Sequence, residues 1–270
     1  MKVTLPLCVL LWLGFVSFSI AGCQTSTENE GSATKDGNSN TIVLKSLDDL
    51  SVTADVYTDD DTARPFIVLC HQAGWSRGEY LEIAPKLNEL GFNCMAIDQR
   101  SGNETNGVAN LTVKAAKLDG KPTEFVDAEQ DIVAAVKHVR DSNMATGKVI
   151  LWGSSYSAAL VLRVAGENPD MVDGVLSFAP GEYFTRLNKP ADWIATSAKN
   201  ITAPAFITSA KNEYKNWSAI FDAIPGDSKT KFLPETAGNH GSRALWDEFA
   251  DSPAYWESVT AFLNQFVESE

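Results

Sequence analysis

One serine, Ser155, stands where an apolar run gives way to small residues, in the segment Val149-Ile-Leu-Trp-Gly-Ser-Ser-Tyr-Ser-Ala-Ala159. A sharp strand-to-helix turn of this kind holds a serine hydroxyl out of the sheet, with a helix N-terminus behind it, so that the hydroxyl is accessible as a nucleophile. The flanking residues must be small for the helix to pack closely, and Ser157 meets this need where glycine is usual. The turn predicts a serine hydrolase, but short strings of this type also arise by chance. Other residues must therefore support the assignment.

A nucleophilic serine needs a base, and the chain contains three histidines. His240 lies in a glycine-flanked loop after the last predicted strand, and it follows Ser155 along the chain, as in hydrolases with this turn. A loop histidine that caps a helix is the alternative. His138 falls in the middle of a predicted helix and is expected to be structural, whereas His71 ends a predicted strand. We therefore predict His240 as the base.

Acyl transfer also needs hydrogen-bond donors for the charge that grows on the carbonyl oxygen, each worth about 10²–10³ in rate. The N–H of Tyr156, directly after the nucleophile, is one expected donor. The second is expected from the turn at Gln72 and Ala73, because Ala73 and Gly74 are small enough for the backbone to approach a substrate. An ordinary tight strand-to-helix connection is the alternative for this turn. The sequence predicts Gln72, Ala73 and Tyr156 as an oxyanion site, with the His71 ring bracing the loop.

Short β-rich runs alternate with helical stretches, which predicts a mostly parallel sheet covered by helices on both faces. The predicted strands are Thr41–Ser46 and Leu50–Tyr57, an antiparallel pair, then Phe66–His71, Phe92–Asp98, Lys148–Trp152, Val172–Phe178, Ala205–Ser209 and Lys229–Pro234. The predicted helices are Tyr80–Leu90, Glu124–Asp141, Ser155–Glu167, Trp217–Ile224 and Tyr255–Glu268. Ligands of such sheets gather at the carboxyl ends of the strands, so the candidate residues are expected at one edge. Cys70 ends one strand and Cys94 begins the next, which predicts that they are not paired.

Several motifs in order resemble a known family. They are His71-Gln-Ala-Gly-Trp-Ser-Arg-Gly-Glu-Tyr80, Gly91-Phe-Asn, Asp98-Gln-Arg-Ser-Gly102, Gly153-Ser-Ser-Tyr156 and His240. Together they resemble the α/β-hydrolases of the dienelactone-hydrolase-like serine esterase group, over roughly residues 50 to 268. The resemblance implies the three-layer α/β-hydrolase fold with an eight-stranded, mostly parallel sheet. It also implies that Asp98 belongs to a structural turn and is not the catalytic acid.

The third member of the triad departs from the family pattern. Relatives place an aspartate shortly after the seventh strand, and Asn212 stands there in this chain. Three arrangements are open: the adjacent Glu213 turns towards His240, Glu182 reaches it from the end of the sixth strand, or Asn212 only orients the ring. An acid stabilises the imidazolium that forms during attack, whereas an amide fixes the tautomer without supplying charge. We favour Glu213, followed by Glu182.

The N-terminus predicts export. Met1-Lys2 supplies a positive end, and the apolar stretch Val9–Phe18 is short for a membrane span. The stretch ends in Ile20-Ala-Gly-Cys23, which resembles the lipobox of bacterial lipoproteins, in which the cysteine is acylated before cleavage. An ordinary secretory signal with Cys23 free is the alternative. The expected organisation is a signal peptide at 1–22, a flexible tether at 23–40 and a hydrolase domain at 41–270, held outside the cytoplasm in the bacterial cell envelope by lipid on Cys23.

The charge of the chain narrows the possible partners. With 22 basic and 35 acidic residues, the formal net charge is −13, which argues against nucleic acid and against electrostatic docking on anionic lipid. Neither a metal nor a cofactor is implied by any motif. The membrane contact is therefore assigned to the lipid anchor, and the other partner to a small acyl substrate.

The predicted function is a serine esterase that cleaves its substrate through an acyl-enzyme on Ser155. Residues 102–121 and 182–200, the latter with Tyr183, Phe184 and Trp193, are expected to wall the acyl pocket. Two alternatives remain. A non-catalytic envelope lipoprotein that keeps the hydrolase shell for binding is favoured by Asn212, and a peptidase would use the same residues on an amide.

Overall fold

The structure, a computed structural model, describes residues 39–267, which form one compact unit. The predicted signal peptide, the lipid site at Cys23 and the tether up to residue 38 lie outside the described residues. The organisation predicted for the N-terminus therefore stays a prediction. Within the described range, no helix combines the length and apolar character that a membrane crossing requires.

An eight-stranded sheet forms the centre of the described chain. Its strands are β1 Ser39–Lys45, β2 Ser51–Tyr57, β3 Phe66–Cys70, β4 Asn93–Ile97, β5 Val149–Ser154, β6 Gly174–Phe178, β7 Ala205–Thr208 and β8 Lys229–Phe232. In space their order is β1-β2-β4-β3-β5-β6-β7-β8. The pairs β1–β2 and β2–β4 are antiparallel, and the other five pairs are parallel. This confirms the predicted mostly parallel sheet and its antiparallel opening.

Helices cover both faces of the sheet. They are α1 Ile83–Glu89, α2 Leu111–Leu118, α3 Glu129–Asp141, α4 Tyr156–Glu167, α5 Trp193–Ala198, α6 Tyr214–Ala223 and α7 Ser252–Leu263. Successive side chains of a strand point to opposite faces, and β3 shows the result. Ile67 and Leu69 belong to the core cluster formed with α1 and α7, whereas Val68 and Cys70 belong to the cluster formed with α3, α4, α5 and α6. The predicted three layers are confirmed.

The register of β3 and β4 separates the two cysteines of the described chain. Cys70 is paired with Ile97 and Cys94 with Ile67, so the two thiols lie at opposite ends of adjacent strands. Both are buried and free, as predicted.

Two helices, α2 and α5, lie in segments predicted as pocket loops. The side-chain oxygen of Asn110 accepts the N–H of Val113 at 2.8 Å and so caps α2. The carboxylate of Glu182 accepts the N–H groups of Ile194 and Ala195 at 3.0 and 2.9 Å in the first turn of α5. The first turn of α5 is stabilised by Glu182, which lies twelve residues before its partner Ile194, so local periodicity could not predict this helix.

The turn after β4 is anchored by a buried ionic cluster. The guanidinium of Arg100 is fully buried and lies 2.7 Å from Asp131 on α3 and 2.8 Å from Asp48. The hydroxyl of Ser46 donates to Asp131 at 2.7 Å. Just before Arg100, Asp98 accepts the backbone N–H groups of Arg77 and Leu111 at 2.9 and 2.7 Å. Asp98 therefore has the structural place that the family resemblance implied.

Candidate active site

Ser155 occupies the turn between β5 and α4 with φ 58° and ψ −119°. Such a backbone conformation is strained for a residue other than glycine and persists only where the surroundings enforce it. Its N–H donates to the carbonyl of Phe178 on β6 at 2.7 Å, and its own carbonyl accepts the N–H of Ala159 on α4 at 3.2 Å. The sheet and the helix therefore hold the serine between them.

The small residues of this turn have different tasks. A Cβ on Gly153 would lie 2.4 Å from the carbonyl oxygen of Ser157, so glycine is required there. Ser157, at the position where glycine is usual, uses its hydroxyl. Its Oγ accepts the N–H of Ser154 at 3.1 Å and lies 2.7 and 2.8 Å from the carbonyl oxygens of Cys70 and His71. Ser157 thereby connects the nucleophile turn to the end of β3.

His240 lies between the serine and a carboxylate. Its Nε2 atom is 2.8 Å from Ser155 Oγ, and its Nδ1 atom is 2.6 Å from Glu213 Oε1. A carboxylate at Nδ1 favours the tautomer with hydrogen on that atom, which leaves Nε2 to accept the serine proton. The side chains of His240 and Glu213 are 31 % and 22 % exposed, so a substrate can reach the site while its acid stays largely shielded.

The other two candidate acids lie elsewhere. Glu182 is bound to the first turn of α5, and burial raises the pKa of its carboxyl. Asn212 is exposed and, among the described residues, has no hydrogen-bond partner for its side chain. Glu213 ends the short 3-10 turn Lys211–Glu213 that follows β7, and its Oε2 atom accepts the N–H of Ala210 at 3.3 Å. The structure thus brings Glu213, and not Glu182 or Asn212, to His240.

The predicted oxyanion site needs one correction. The N–H of Gln72 donates at 2.7 Å to Oε2 of Glu79, a fully buried residue, so it is not available to a substrate. Ala73 lines the same cleft as Ser155, and within the described chain its N–H has no partner. The N–H of Tyr156 belongs to the first residue of α4, where a helix leaves donors without intrahelical partners. Ala73 and Tyr156 remain as candidate donors.

His71 braces the loop from beneath. Its Nδ1 atom donates to the carbonyl of Gln72 at 2.8 Å, and its Nε2 atom accepts the N–H of Gln99 at 3.0 Å. The amide nitrogen of Asn110 lies 3.2 Å from the same Nε2 atom. Burial lowers the pKa of His71 to about 4, so the ring is neutral at ordinary pH. His138, on α3, takes no part in the site.

A cleft of about 450 Å³ opens beside Ser155. Its walls include Phe125, Tyr183 and Leu187, with the charged side chains of Glu124 and Arg186 also lining it.

Of the predicted wall residues, Tyr183 lines the cleft, whereas Phe184 is 1 % exposed in the core. Trp193 packs on Phe184 with ring centroids 5.0 Å apart and does not line the cleft. The segment 102–121 is also absent from its lining, because it folds into a short hairpin and α2.

Phe125 was not singled out from the sequence, although it forms one wall. Its ring stacks on that of Tyr156 with centroids 4.7 Å apart. It lies in the 3-10 turn Phe125–Ala128 directly before α3, inside a segment predicted as one continuous helix. A prediction of one continuous helix does not identify such a residue, because the change from a 3-10 turn to the α-helix, which places Phe125 in the cleft, depends on packing.

The assignment of the acid can be tested by removing its charge. We expect Glu213→Gln to lower kcat by about 10³–10⁴-fold, because an amide cannot stabilise the imidazolium. Glu182→Gln is the matched control, and its kcat should stay within about threefold of wild type, since within residues 39–267 its carboxylate bonds only to N–H groups of α5. Steady-state kinetics on a chromogenic ester measure both. A larger loss for Glu182→Gln than for Glu213→Gln would contradict the assignment.

The buried His71 predicts a specific pH dependence of stability. Because its folded-state pKa is about 4 against an ordinary 6.5, the contribution of the neutral ring is complete above pH 6.5 and is lost as the pH falls towards 4. We expect the destabilisation caused by His71→Asn to be about 3 kcal/mol smaller near pH 4 than near pH 7. Urea unfolding of both proteins across this range measures the difference.

Comparing the free energies of unfolding of wild type and His71→Asn at the same pH removes an opposing contribution from Glu79. Burial raises the pKa of Glu79 from 4.5 to about 7, so the stability linked to its protonated form is lost as the pH rises through that range. This titration is present in both proteins and cancels in the difference. An equal cost of the His71 substitution at every pH would refute the prediction.

Comparisons with known proteins agree with this geometry. The model of a hydrolase family described as serine aminopeptidase, S33, matches residues 61–223. An esterase of Pyrococcus furiosus, Pf2001, has a similar structure, with a TM-score of 0.64 and 17 % identity over 85 % of this chain and 93 % of that one. Dienelactone hydrolase of Anabaena variabilis has a TM-score of 0.64 and 14 % identity over 85 % and 98 % of the two chains.

Est1E of Butyrivibrio proteoclasticus gives a TM-score of 0.62 with 12 % identity over 83 % of this chain and 98 % of its own. At these identities the three structures establish a shared fold. No curated protein matches the chain. The family model covers more than half of the sequence and includes the nucleophile turn. The chain belongs to the serine aminopeptidase S33 family of α/β hydrolases and is a serine-type hydrolase.

Proposed function

We propose that this protein is a serine esterase that cleaves its substrate through an acyl-enzyme on Ser155. One observation carries the proposal, namely the continuous series of contacts from Ser155 Oγ to His240 Nε2 at 2.8 Å and from His240 Nδ1 to Glu213 Oε1 at 2.6 Å. A serine hydroxyl is a weak nucleophile unless an adjacent base removes its proton, and this arrangement supplies the base and its orienting acid.

The reaction follows from these atoms. His240 takes the hydroxyl proton of Ser155 as the oxygen attacks the acyl carbonyl, and the carbonyl electrons move onto oxygen, where the N–H groups of Ala73 and Tyr156 stabilise the charge. The imidazolium, held by Glu213, then protonates the leaving alcohol as its bond to the acyl carbon breaks. Water, deprotonated by the same ring, attacks the acyl-enzyme and releases a carboxylic acid and the free serine.

The cleft supports an acyl substrate with an apolar part. Phe125, Tyr183 and Leu187 offer carbon surface beside the nucleophile, and apolar burial is the main attraction available to an alkyl or aryl chain. The similar structures named as esterases and as a dienelactone hydrolase favour an ester over an amide. An amide remains the second candidate bond, since the family model is described as a serine aminopeptidase.

A fluorophosphonate probe tests the nucleophile without knowledge of the substrate. We expect the folded wild-type protein to be labelled on Ser155, as located by peptide mass spectrometry, because the phosphonate mimics the tetrahedral intermediate. Ser155→Ala should lose the label, and Ser46→Ala, which removes a buried serine hydroxyl that bonds to Asp131 and not to the nucleophile turn, is the matched control that keeps the nucleophile. A folded wild-type protein that is not labelled would favour the non-catalytic binding protein. For a protein that is labelled, hydrolysis of p-nitrophenyl butyrate but not of butyryl p-nitroanilide would support the ester over the amide.

We also propose that the protein is exported and held at the bacterial cell envelope by lipid on Cys23. The sequence alone supports this, through the apolar stretch Val9–Phe18, the segment Ile20-Ala-Gly-Cys23 and the polar run that follows. Such an anchor brings the hydrolase to the membrane despite the net charge of −13.

Fractionation of a bacterial host that expresses the full chain tests the anchor. We expect the wild-type protein in the membrane fraction with an acylated Cys23 at its mature N-terminus, and Cys23→Ala outside that fraction or unprocessed. Ser26→Ala, a similar change three residues further on, should leave the anchoring intact. A mature wild-type protein with an unmodified cysteine would indicate an ordinary secretory signal.

A further inference from the structure

We propose that Glu79 is a positioning residue that holds the three catalytic loops of this hydrolase in register. The oxyanion loop is residues 71–75, the nucleophile turn is residues 154–156, and the histidine loop is residues 238–242. The inference rests on the proposed nucleophilic role of Ser155, and it assigns a task to a buried carboxylate that the reaction itself does not use.

The carboxylate of Glu79 bonds to two of the loops and reaches the third through one hydroxyl. Its Oε2 atom accepts the N–H of Gln72 at 2.7 Å, and its Oε1 atom accepts the hydroxyl of Ser154 at 2.6 Å. The same hydroxyl accepts the N–H of Ser242 at 2.9 Å. The series Gln72, Glu79, Ser154 and Ser242 therefore runs unbroken beneath the catalytic groups.

Every contact falls close to a group that acts in the reaction. Gln72 precedes Ala73, which offers an oxyanion N–H. Ser154 precedes the nucleophile, and Ser242 lies two residues after His240. A shift of Glu79 would move the donor, the nucleophile and the base relative to one another. Acyl transfer is sensitive to such shifts, since a displacement of about 1 Å can cost 10²-fold in rate.

The histidine loop is packed directly on this series. Gly241 has φ +72°, and a Cβ there would lie 2.5 Å from Ser154 Oγ, so the loop approaches as closely as a glycine allows. The backbone carbonyl of Glu79 accepts the indole N–H of Trp246 at 3.0 Å. Trp246 in turn stacks on Trp75 of the oxyanion loop, with ring centroids 5.4 Å apart. The main chain of Glu79 thus contacts Trp246, which packs on the oxyanion loop, while its side chain bonds to Gln72 and Ser154.

The chemistry of the carboxylate explains why an acid occupies this position. Glu79 is fully buried, and both of its partners are donors, so an ionised carboxylate with two acceptor oxygens satisfies both. An amide of the same size has one acceptor oxygen in place of two, so either the N–H of Gln72 or the hydroxyl hydrogen of Ser154 loses the oxygen to which it donates. Burial raises the pKa of Glu79 to about 7, while the hydrogen bonds from Ser154 and Gln72 act in the opposite direction.

Substitution at both ends of the Glu79–Ser154 bond tests the proposal. Four variants are compared with wild type: Glu79→Gln, Ser154→Ala, the double variant, and Ser46→Ala as the control. Ser46, like Ser154, is a buried serine that donates to a buried carboxylate, that of Asp131, but it belongs to none of the three loops. Each protein is assayed for kcat and KM on p-nitrophenyl butyrate, for the rate of phosphonylation of Ser155 and for thermal stability.

We expect kcat and the phosphonylation rate to fall about 10- to 100-fold in Glu79→Gln and in Ser154→Ala, with KM within about twofold of wild type. The double variant should lose no more than the larger single loss, because both changes break one series of bonds. Ser46→Ala should keep its kcat, even where its thermal stability falls as far as that of Ser154→Ala. A purely structural role for Glu79 would instead lower kcat in all destabilised variants alike.

Three results would overturn the inference: an unchanged kcat in Glu79→Gln, losses that multiply in the double variant, or an equal loss in Ser46→Ala. Each of these leaves the wild-type labelling on Ser155 in place. A folded wild-type protein that neither hydrolyses the ester nor reacts with the phosphonate would instead remove the proposed function, and the positioning role with it.

Discussion

The positive φ of Ser155 is the constraint on which the rest of this structure depends. A residue with a side chain adopts φ 58° and ψ −119° only against a local energetic cost, and packing elsewhere must offset it. Here the offset comes from the hydrogen bond to Phe178 on β6 and from the fully buried α4 side chains behind the turn. The parallel sheet, its two core clusters and the close contact at Gly153 can all be understood as the frame that keeps one hydroxyl outside the sheet.

Glu213, the candidate acid, shows how a local change can preserve a distant geometry. Glutamate has one more methylene group than aspartate, and Glu213 lies one position after the residue at which the family usually carries its acid. The short 3-10 turn Lys211–Glu213 and the bond from the N–H of Ala210 direct the longer side chain back towards His240. The displaced position and the longer side chain compensate for each other, and the contact to Nδ1 of His240 is 2.6 Å. Asn212, free of that task, is exposed.

The parts of the site that the sequence could predict are those determined by short segments. Ser155 and His240 each lie among small residues after a strand, and Glu213 directly follows Asn212, the position where the resemblance places the acid. The role of Gln72 could not be predicted correctly, because its N–H is taken by a carboxylate that only the folded chain brings within 2.7 Å. Glu79 lies in the motif His71–Tyr80, yet nothing in the motif shows where its side chain points.

The same distinction applies to the fold. The strands were predictable because residues buried on both faces of a parallel sheet form continuous apolar runs, as in Phe66–Cys70. The helix α5 was not, because its first turn is stabilised by Glu182 from outside the helix. Phe125 was missed for a related reason, since a break in a predicted helix places it in the cleft.

Ser157 has a consequence that extends beyond the turn it belongs to. Its hydroxyl joins the nucleophile turn to the end of β3, so the Ser155 hydroxyl and the candidate oxyanion donors belong to one hydrogen-bonded floor. The walls at Phe125, Tyr183 and Leu187 come from short 3-10 turns and connecting segments that share no hydrogen bond with that floor among the described contacts. The groups proposed for the chemistry and the side chains that wall the cleft therefore lie on different segments of the chain. Under the proposed function, substitutions in the walls would change which acyl groups enter the cleft, while the contacts of Ser155, His240 and Glu213 stay as they are.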